Sequence, residues 1–346
     1  MSALYGAVAA RRRTWYDAHP DVRRRLRQPV VSVGALAVGG SGKTPIAAHI
    51  ASVLVSMGER PAVLSRGYGR VQRVDGVVVV SERGTVKCDL DRAGDEPLML
   101  ARRLAEVSVL VSEDRYPAGR LAESRLGATV HVLDDGFQHL SLRRDVDLLV
   151  LSEADVADAR TLPGGRLREP LDTVSYADAL VVEARDMAQA GALAERVGAR
   201  DVFRFERRLA APRDPVSSEP VEIRSGARVL AVVGIARPDT FVDALRTTGY
   251  DVVDVTRVRD HHAYSRQEVE ALGARAAETG VDHVLTTEKD LVRLLPHAPF
   301  TFPLRWVPMD VSVEPADRFR EWLTARLTRA RATATAETTA AETVWE

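Results

Sequence analysis

The stretch that most limits what this chain can fold into is residues 30–58, VVSVGALAVGGSGKTPIAAHIASVLVSMG. A β-rich apolar run enters paired glycines, then a lysine and a threonine, then a helical pattern that ends at Gly58. A strand, a glycine loop and a helix in that order form the unit of an open α/β sheet whose loop cradles phosphate. The strict pattern, G-x-x-x-x-G-K-[ST], is met except at its first position, which is Ala37. Its working parts are present. Gly39, Gly40 and Gly42 free the backbone to wrap a phosphate with N–H groups, Lys43 brings a point charge, and the Thr44 hydroxyl suits Mg²⁺. Pro45 is tolerated in a first helical turn, where its missing N–H has no intrahelical partner. The plain alternative is a chance glycine-rich turn.

The rest of the chain keeps the same alternation. Strand-like runs at RPAVLSRG, VSVLVS, ATVHVLDDG, DVDLLVLS and ADALVVEA are separated by helical EPLMLARRLA and AGRLAESRLG, the rhythm of a mainly parallel sheet covered on both faces. Prolines and serines interrupt it near residue 206. A second, smaller α/β rhythm follows: RVLAVVGIA, PDTFVDALRTTG, YDVVDVTRV, SRQEVEALGARAAETG and VDHVLTTEKD. The expected organisation is a basic segment over 1–28, a P-loop domain over 29–205, a hinge over 206–222, a smaller α/β domain over 223–328 and a disordered, low-complexity tail over 329–346.

Composition excludes several classes. The net charge of −1 gives no general basic surface for nucleic acid, and the single cysteine, Cys88, rules out an internal disulfide or a multi-cysteine zinc site and fits a reducing compartment. No apolar run reaches the ~18 residues of a transmembrane helix, and the arginines follow rather than precede the apolar N-terminal stretch, so no signal peptide is expected. Between residues 11 and 27, seven arginines face two aspartates, with Trp15 and Tyr16 among them. That mixture suits either a helix lying on an anionic membrane or a solvated helix packing its aromatics on the core.

A phosphate loop needs a metal-binding acid on a neighbouring strand. HVLDDGFQH supplies Asp134 and Asp135 at the end of an apolar run, where adjacent acids hold Mg²⁺ directly or through water. Five other segments place charged residues at strand ends or in the loops after them: SRGYGR (65–70), GDEP (94–97), LPGGRLREP (162–170), RDHHAY (259–264) and LTTEKD (285–290). Strand ends are where open α/β sheets bind ligands. Each segment alone is also compatible with a capped turn, and Asp95 in GDEP with a helix N-cap.

Taken in order from about residue 29 to 295, these segments resemble the tetraacyldisaccharide 4'-kinases, the lipid A kinases of Gram-negative envelope synthesis. The resemblance is carried by VGALAVGGSGKTP, LSRGYGR, GDEP, DDGFQH, LPGGRLREP, DHHAY and TTEKD, and that family tolerates a non-glycine at the Ala37 position. It implies transfer of the γ-phosphate of ATP, with Mg²⁺, to the 4'-hydroxyl of a lipid disaccharide 1-phosphate in a cleft between two domains. The implied nucleotide site is Val38, Gly39, Gly40, Ser41, Gly42, Lys43, Thr44 and Pro45, and the implied metal site is Thr44, Asp134 and Asp135. By the same resemblance Asp95 is the base, His261 its partner and Arg168 the charge stabiliser, with Arg66, Gln138 and His139 on the substrate side. It also implies peripheral attachment to the cytoplasmic face of the inner membrane, with no nucleic acid and no obligate protein partner. The rival class is a P-loop switch or regulatory ATPase or GTPase. Val38 stands where such proteins often carry a signature lysine, which counts against that class.

Overall fold

The computed structural model describes residues 1–343. Ten strands form one large sheet: β1 Val30–Ala35, β2 Pro61–Ser65, β3 Val78–Glu82, β4 Thr85–Val86, β5 Ser108–Val111, β6 Val130–Asp134, β7 Val146–Leu151, β8 Ala179–Glu183, β9 Val202–Leu209 and, from the far end of the chain, β14 Met309–Glu314. Its order is β14-β9-β8-β7-β1-β6-β2-β5-β3-β4. The central strands are parallel, and β1, β2, β5, β6 and β7 are buried along their whole length. That explains their mainly Val/Leu/Ala character, interrupted by residues such as Ser32, His131 and Asp147: with helices on both faces, no strand position meets water. β10 Arg228–Val233, β11 Asp251–Arg257, β12 His283–Thr287 and β13 Leu304–Val307 make a second, all-parallel sheet ordered β11-β10-β12-β13.

The order fixes where a ligand goes. β1 sits between β6 and β7, and Val33 pairs with Asp134. The glycine loop after β1 and the acids after β6 therefore emerge side by side at the carboxyl edge of the sheet.

Three expectations need correction. The hinge does not begin at 206, because β9 continues to Leu209 and pairs antiparallel with β14 from Arg204–Glu314 to Leu209–Met309. Phe203 and Phe205 point into the core while their neighbours alternate outward. The prolines that mark the linker start only at Pro212. Nor does the smaller unit keep 223–328 to itself: β14 and the start of the following helix, with Phe319, Leu323 and Leu327, pack on the large sheet. The chain thus crosses between the units twice, side by side. Finally, the expected tail from 329 is helical, within Ala316–Thr343, and residues 344–346 lie outside the described residues.

The basic N-terminal segment is helical over Ser2–Ala18. Arg13 is not a surface charge: it is 2% exposed, bonds Glu169 at 2.8 and 3.0 Å, and lies over the rings of Phe137 and Tyr176. Removing one partner of a buried pair leaves the other charge unmatched, at a cost of about 3–5 kcal/mol. Glu169→Ala should therefore lower unfolding stability by about 3 kcal/mol. Urea titration is the check, and a loss within experimental error would mean that the helix is not anchored through this pair.

Candidate active site

The sheet edge and the smaller unit enclose a cleft of about 920 Å³ lined by the glycine loop, Arg66, Tyr68, Glu96, Arg115, Asp134, Asp135, Gln138, His139, Arg168, His261 and Lys289, among others. The loop has phosphate-cradle geometry. Gly39, Gly40 and Gly42 all take positive φ, and Gly42 caps the helix Lys43–Ser56 in the left-handed region, so the amides of its first turn face the cleft. LPGGRLREP braces the loop from outside. Val38 N donates to Arg166 O at 3.0 Å and Arg168 N to Leu36 O at 2.7 Å. Arg168 then reaches inward to grip Asp135 through both guanidinium ends, at 2.8 and 2.6 Å.

The two adjacent acids have different surroundings. Asp135 has φ 56, an uncommon conformation for a residue with a Cβ, and its carboxyl faces Arg168 with Lys43 at 3.7 Å. The Arg168 hydrogen bonds and the Lys43 charge outweigh burial and hold it below the usual carboxylate range. Asp134 is buried, accepts from the Thr44 hydroxyl at 3.2 Å, and lacks a direct cationic partner among its described contacts. Burial first, then Glu96 and Asp135, push its carboxyl up to about 7. Beside them is a buried cation that no motif singles out. Arg115 is 4% exposed, and burial lowers it to about 10 against the opposing pull of Asp134 and Asp135.

Opposite the glycine loop, two units meet. Gly94 caps the helix Asp95–Arg103 at φ 82, with the Tyr68 carbonyl 2.9 Å from where a Cβ would sit, so SRGYGR and GDEP are held together. The N-cap is Gly94, not Asp95. Asp95 is the first helical residue, 5% exposed, and accepts from Glu96 N at 2.9 Å. From the smaller unit, His261 places Nδ1 3.1 Å from Asp95 Oδ1 and 2.9 Å from Oδ2. His261 has φ 61, a second left-handed non-glycine residue at this site. His261 is pushed up chiefly by its hydrogen bond to Asp95; Asp95 is pushed down by His261, Lys289 and Arg293 against its burial.

RDHHAY and LTTEKD prove to be one construction. Buried Asp290 accepts from Gly234 N, the Thr287 hydroxyl, Tyr264 Oη and Arg293, while Arg293 donates onward to Gly234 O and His262 O. This network fixes the loop that presents His261. Arg103 ties the units again, at 2.8 Å to Glu288, 2.8 Å to Asp310 and 3.0 Å to Met309 O.

Arg66, Gln138 and His139, expected on the substrate side, line the cleft. Arg66 is exposed at its edge, and Gln138 donates to Ala35 O at 3.2 Å. His139 is held neutral, driven down to about 4 by burial and by Arg115.

A phosphate loop after β1, acids after the adjacent β6 and a polar pair presented across the cleft define a P-loop phosphotransferase. A family model described as tetraacyldisaccharide-1-P 4'-kinase matches residues 1–328. Tetraacyldisaccharide 4'-kinases of Geobacter sulfurreducens (38% identical, 88% of this chain and 85% of that one) and Bradyrhizobium diazoefficiens (37%, 96% and 92%) are similar over nearly their whole length. The crystal structure of LpxK from Aquifex aeolicus in complex with ATP superposes with a TM-score of 0.75 at 32% identity, covering 94% of this chain and 97% of that one. The chain belongs to the tetraacyldisaccharide 4'-kinase family, ATP-dependent kinases of lipid A biosynthesis. The switch or regulatory NTPase reading is thereby set aside.

Proposed function

We propose that this chain phosphorylates the 4'-hydroxyl of tetraacyldisaccharide 1-phosphate with the cleft residues in the following roles. The glycine loop from Val38 to Pro45 holds the β- and γ-phosphates, with Lys43 as their charge partner. Arg168 and Arg115 balance the charge of the moving phosphoryl group. Asp134 and the Thr44 hydroxyl would hold Mg²⁺. The support is the electrostatics of Asp134: a carboxyl pushed up to about 7 by burial and then by neighbouring acids is relieved by a divalent cation. Bound there, Mg²⁺ would neutralise phosphate charge. Asp135, already gripped by Arg168, is the weaker candidate for a direct ligand.

The expectation that Asp95 is the base is revised on physical grounds. Its carboxylate is buried and made less basic by the His261 hydrogen bond and the Lys289 and Arg293 charges, whereas His261 is a quarter exposed and made more basic by Asp95. We assign proton acceptance to His261 Nε2 and orientation of the ring to Asp95. The 4'-oxygen bonds to the γ-phosphorus as its proton passes to Nε2, and the bond to the β,γ-bridging oxygen breaks with its electron pair leaving on ADP. The observation that carries this reading is the Asp95–His261 contact across the cleft from the glycine loop. A labelled-ATP assay with tetraacyldisaccharide 1-phosphate tests it: label must reach the 4'-position, and hydrolysis without transfer would sink it.

The lipid substrate also bears on the N-terminal helix. No helix among the described residues is long and apolar enough to cross a membrane. Yet Met1, Leu4, Tyr5, Val8 and Trp15, at helical spacing, leave large apolar side chains in solvent, with Leu4 67% and Val8 62% exposed and Arg11 and Arg12 between them. This stripe is read as the peripheral contact with an anionic inner-membrane surface on its cytoplasmic face. Burying a Leu or Val side chain contributes about 1.5–3 kcal/mol. Replacing Leu4 and Val8 with serine should weaken vesicle binding by roughly tenfold or more. Co-sedimentation with phosphatidylglycerol vesicles is the measurement, and binding should also fall as salt screens the arginines. Undiminished binding by the double variant would move the contact elsewhere.

A further inference from the structure

LTTEKD contributes one residue that none of the roles above uses. Lys289, in the helix Glu288–Leu294 of the smaller unit, lies at the junction of the two units with its side chain 13% exposed. Its ammonium donates to Glu96 at 2.9 Å on one unit and to Asp260 at 3.0 Å on the other. Its third donor is 3.3 Å from His261 Nε2. An ammonium has no lone pair, so in this contact Nε2 must accept. The proton of a neutral ring then sits on Nδ1, which faces Asp95. The hydrogen-bond partners on the two sides of the ring therefore select one tautomer, with its lone pair at the cleft.

We infer that Lys289 is a positioning residue for phosphoryl transfer, holding His261 as the Nδ1–H tautomer with Nε2 unprotonated until the acceptor hydroxyl takes the ammonium's place there. This rests on the assignment of proton acceptance to His261.

The need for such a residue follows from Asp95. A carboxylate within hydrogen-bond reach raises the basicity of an imidazole, and a ring already protonated at working pH accepts nothing. A cation at the other nitrogen opposes that rise. Several groups face His261. Asp95 comes from the helix Asp95–Arg103, with Glu96 beyond Lys289. Asp260, 3.8 Å from Nε2, belongs to the same loop. Tyr68, whose ring centroid is 5.1 Å away, comes from SRGYGR. Lys289 comes from the helix Glu288–Leu294, with Arg293 3.7 Å from Asp95 Oδ2. Among them Lys289 is the only cation at Nε2. Its ties to Glu96 and Asp260 are shorter than its approach to the ring, so it can yield Nε2 to a hydroxyl while remaining anchored.

The test uses the full chain, labelled with ¹⁵N-histidine, with the His261 signals assigned by comparison with His261→Gln. In Lys289→Gln the His261 titration should move up by about one unit. The acid limb of the kcat profile should follow it, so that turnover falls most below neutrality and recovers in alkali. KM for ATP should stay within about twofold, since Lys289 is not a phosphate-loop residue, and Lys289→Arg should restore both the titration and the limb. Lys289→Met, neutral and of similar length, is the second variant should glutamine prevent folding. An unmoved or lowered His261 titration overturns the inference, as does a raised titration with the acid limb unchanged, or a uniform loss at every pH. Failure of the underlying assignment is distinguishable, because His261→Ala would then keep the acid limb of the kcat profile.

Discussion

Asp134→Asn should leave a protein that turns over at least 10³-fold more slowly yet is harder to unfold at pH 8 than the wild type. The two effects share one cause. In the ligand-free cleft the Asp134 carboxylate is buried beside Glu96 and Asp135, and the folded state holds its proton up to about pH 7, well above the ordinary aspartate value near 4. Between those values the folded state binds more protons than the unfolded one, so stability falls as pH rises through the window and the penalty is complete above it. Asparagine removes that charge. The gain is absent near pH 4 and grows to an upper bound of about 4 kcal/mol by pH 8. The same uncompensated charge is what the proposed site offers a cation. Saturating Mg²⁺ with ATP should therefore raise the thermal midpoint of the wild type more than that of the variant. Scanning calorimetry at pH 5 and pH 8, with and without MgATP, reads all of this. A variant less stable than the wild type at pH 8 would mean that Asp134 is a structural hydrogen-bonding group and not a site tuned for metal.

The nucleotide half of the cleft was legible because its geometry is local. Strand, glycine loop and helix lie within residues 30–56, and the small residues that permit the loop are the same ones that mark it in the sequence. Asp134 could be paired with it because β1 and β6 are interior strands whose apolar runs end abruptly. Arg115, Lys289 and the Arg13–Glu169 pair were not legible. Arg13 and Arg115 stand in helices that carry no motif, while Lys289 and Glu169 lie inside LTTEKD and LPGGRLREP with nothing local to single them out; their meaning comes from burial and from partners that only the fold brings near, Glu169 for Arg13, Glu96 for Lys289 and Asp134 for Arg115. Arg13 was misread for this reason: among neighbouring arginines it is the one that turns inward to Glu169.

The strand taken for a hinge shows a related limit. FRFERRL alternates in and out as a strand should, but its place in the large sheet comes from partners distant in the fold: β9 pairs with β8 through Phe205 and, as far as Leu209, with β14, about a hundred residues further on. Prolines nearby gave the stronger local signal. Residues 210–227 carry the actual crossing, and β14 returns beside it.

Asp95→Asn and His261→Ala should each lower kcat by roughly 10²–10⁴-fold, the range for loss of a positioned general base, and the double variant should lose far less than the product. The two residues act on one proton, and residues acting as a unit are strongly non-additive. Their unequal environments give each variant its own signature. Asp95→Asn keeps the side-chain shape and the acceptor for Glu96 N but removes the charge that raises His261. The acid limb of its residual activity should therefore move to lower pH, the reverse of the direction expected for Lys289→Gln. His261→Ala removes the acceptor and should flatten that limb. Neither change touches the phosphate loop, so ATP should bind both variants within about twofold of wild type; a fluorescent ATP analogue measures this. Asp95 does not cap its helix, since Gly94 occupies that position, so Asp95→Asn has little reason to lose the ~1 kcal/mol that a lost cap costs. Were Asp95→Asn and His261→Ala independent, each multiplying the other's loss, the dyad would be two separate contacts, and the proton acceptor would have to be sought among the other groups of the cleft.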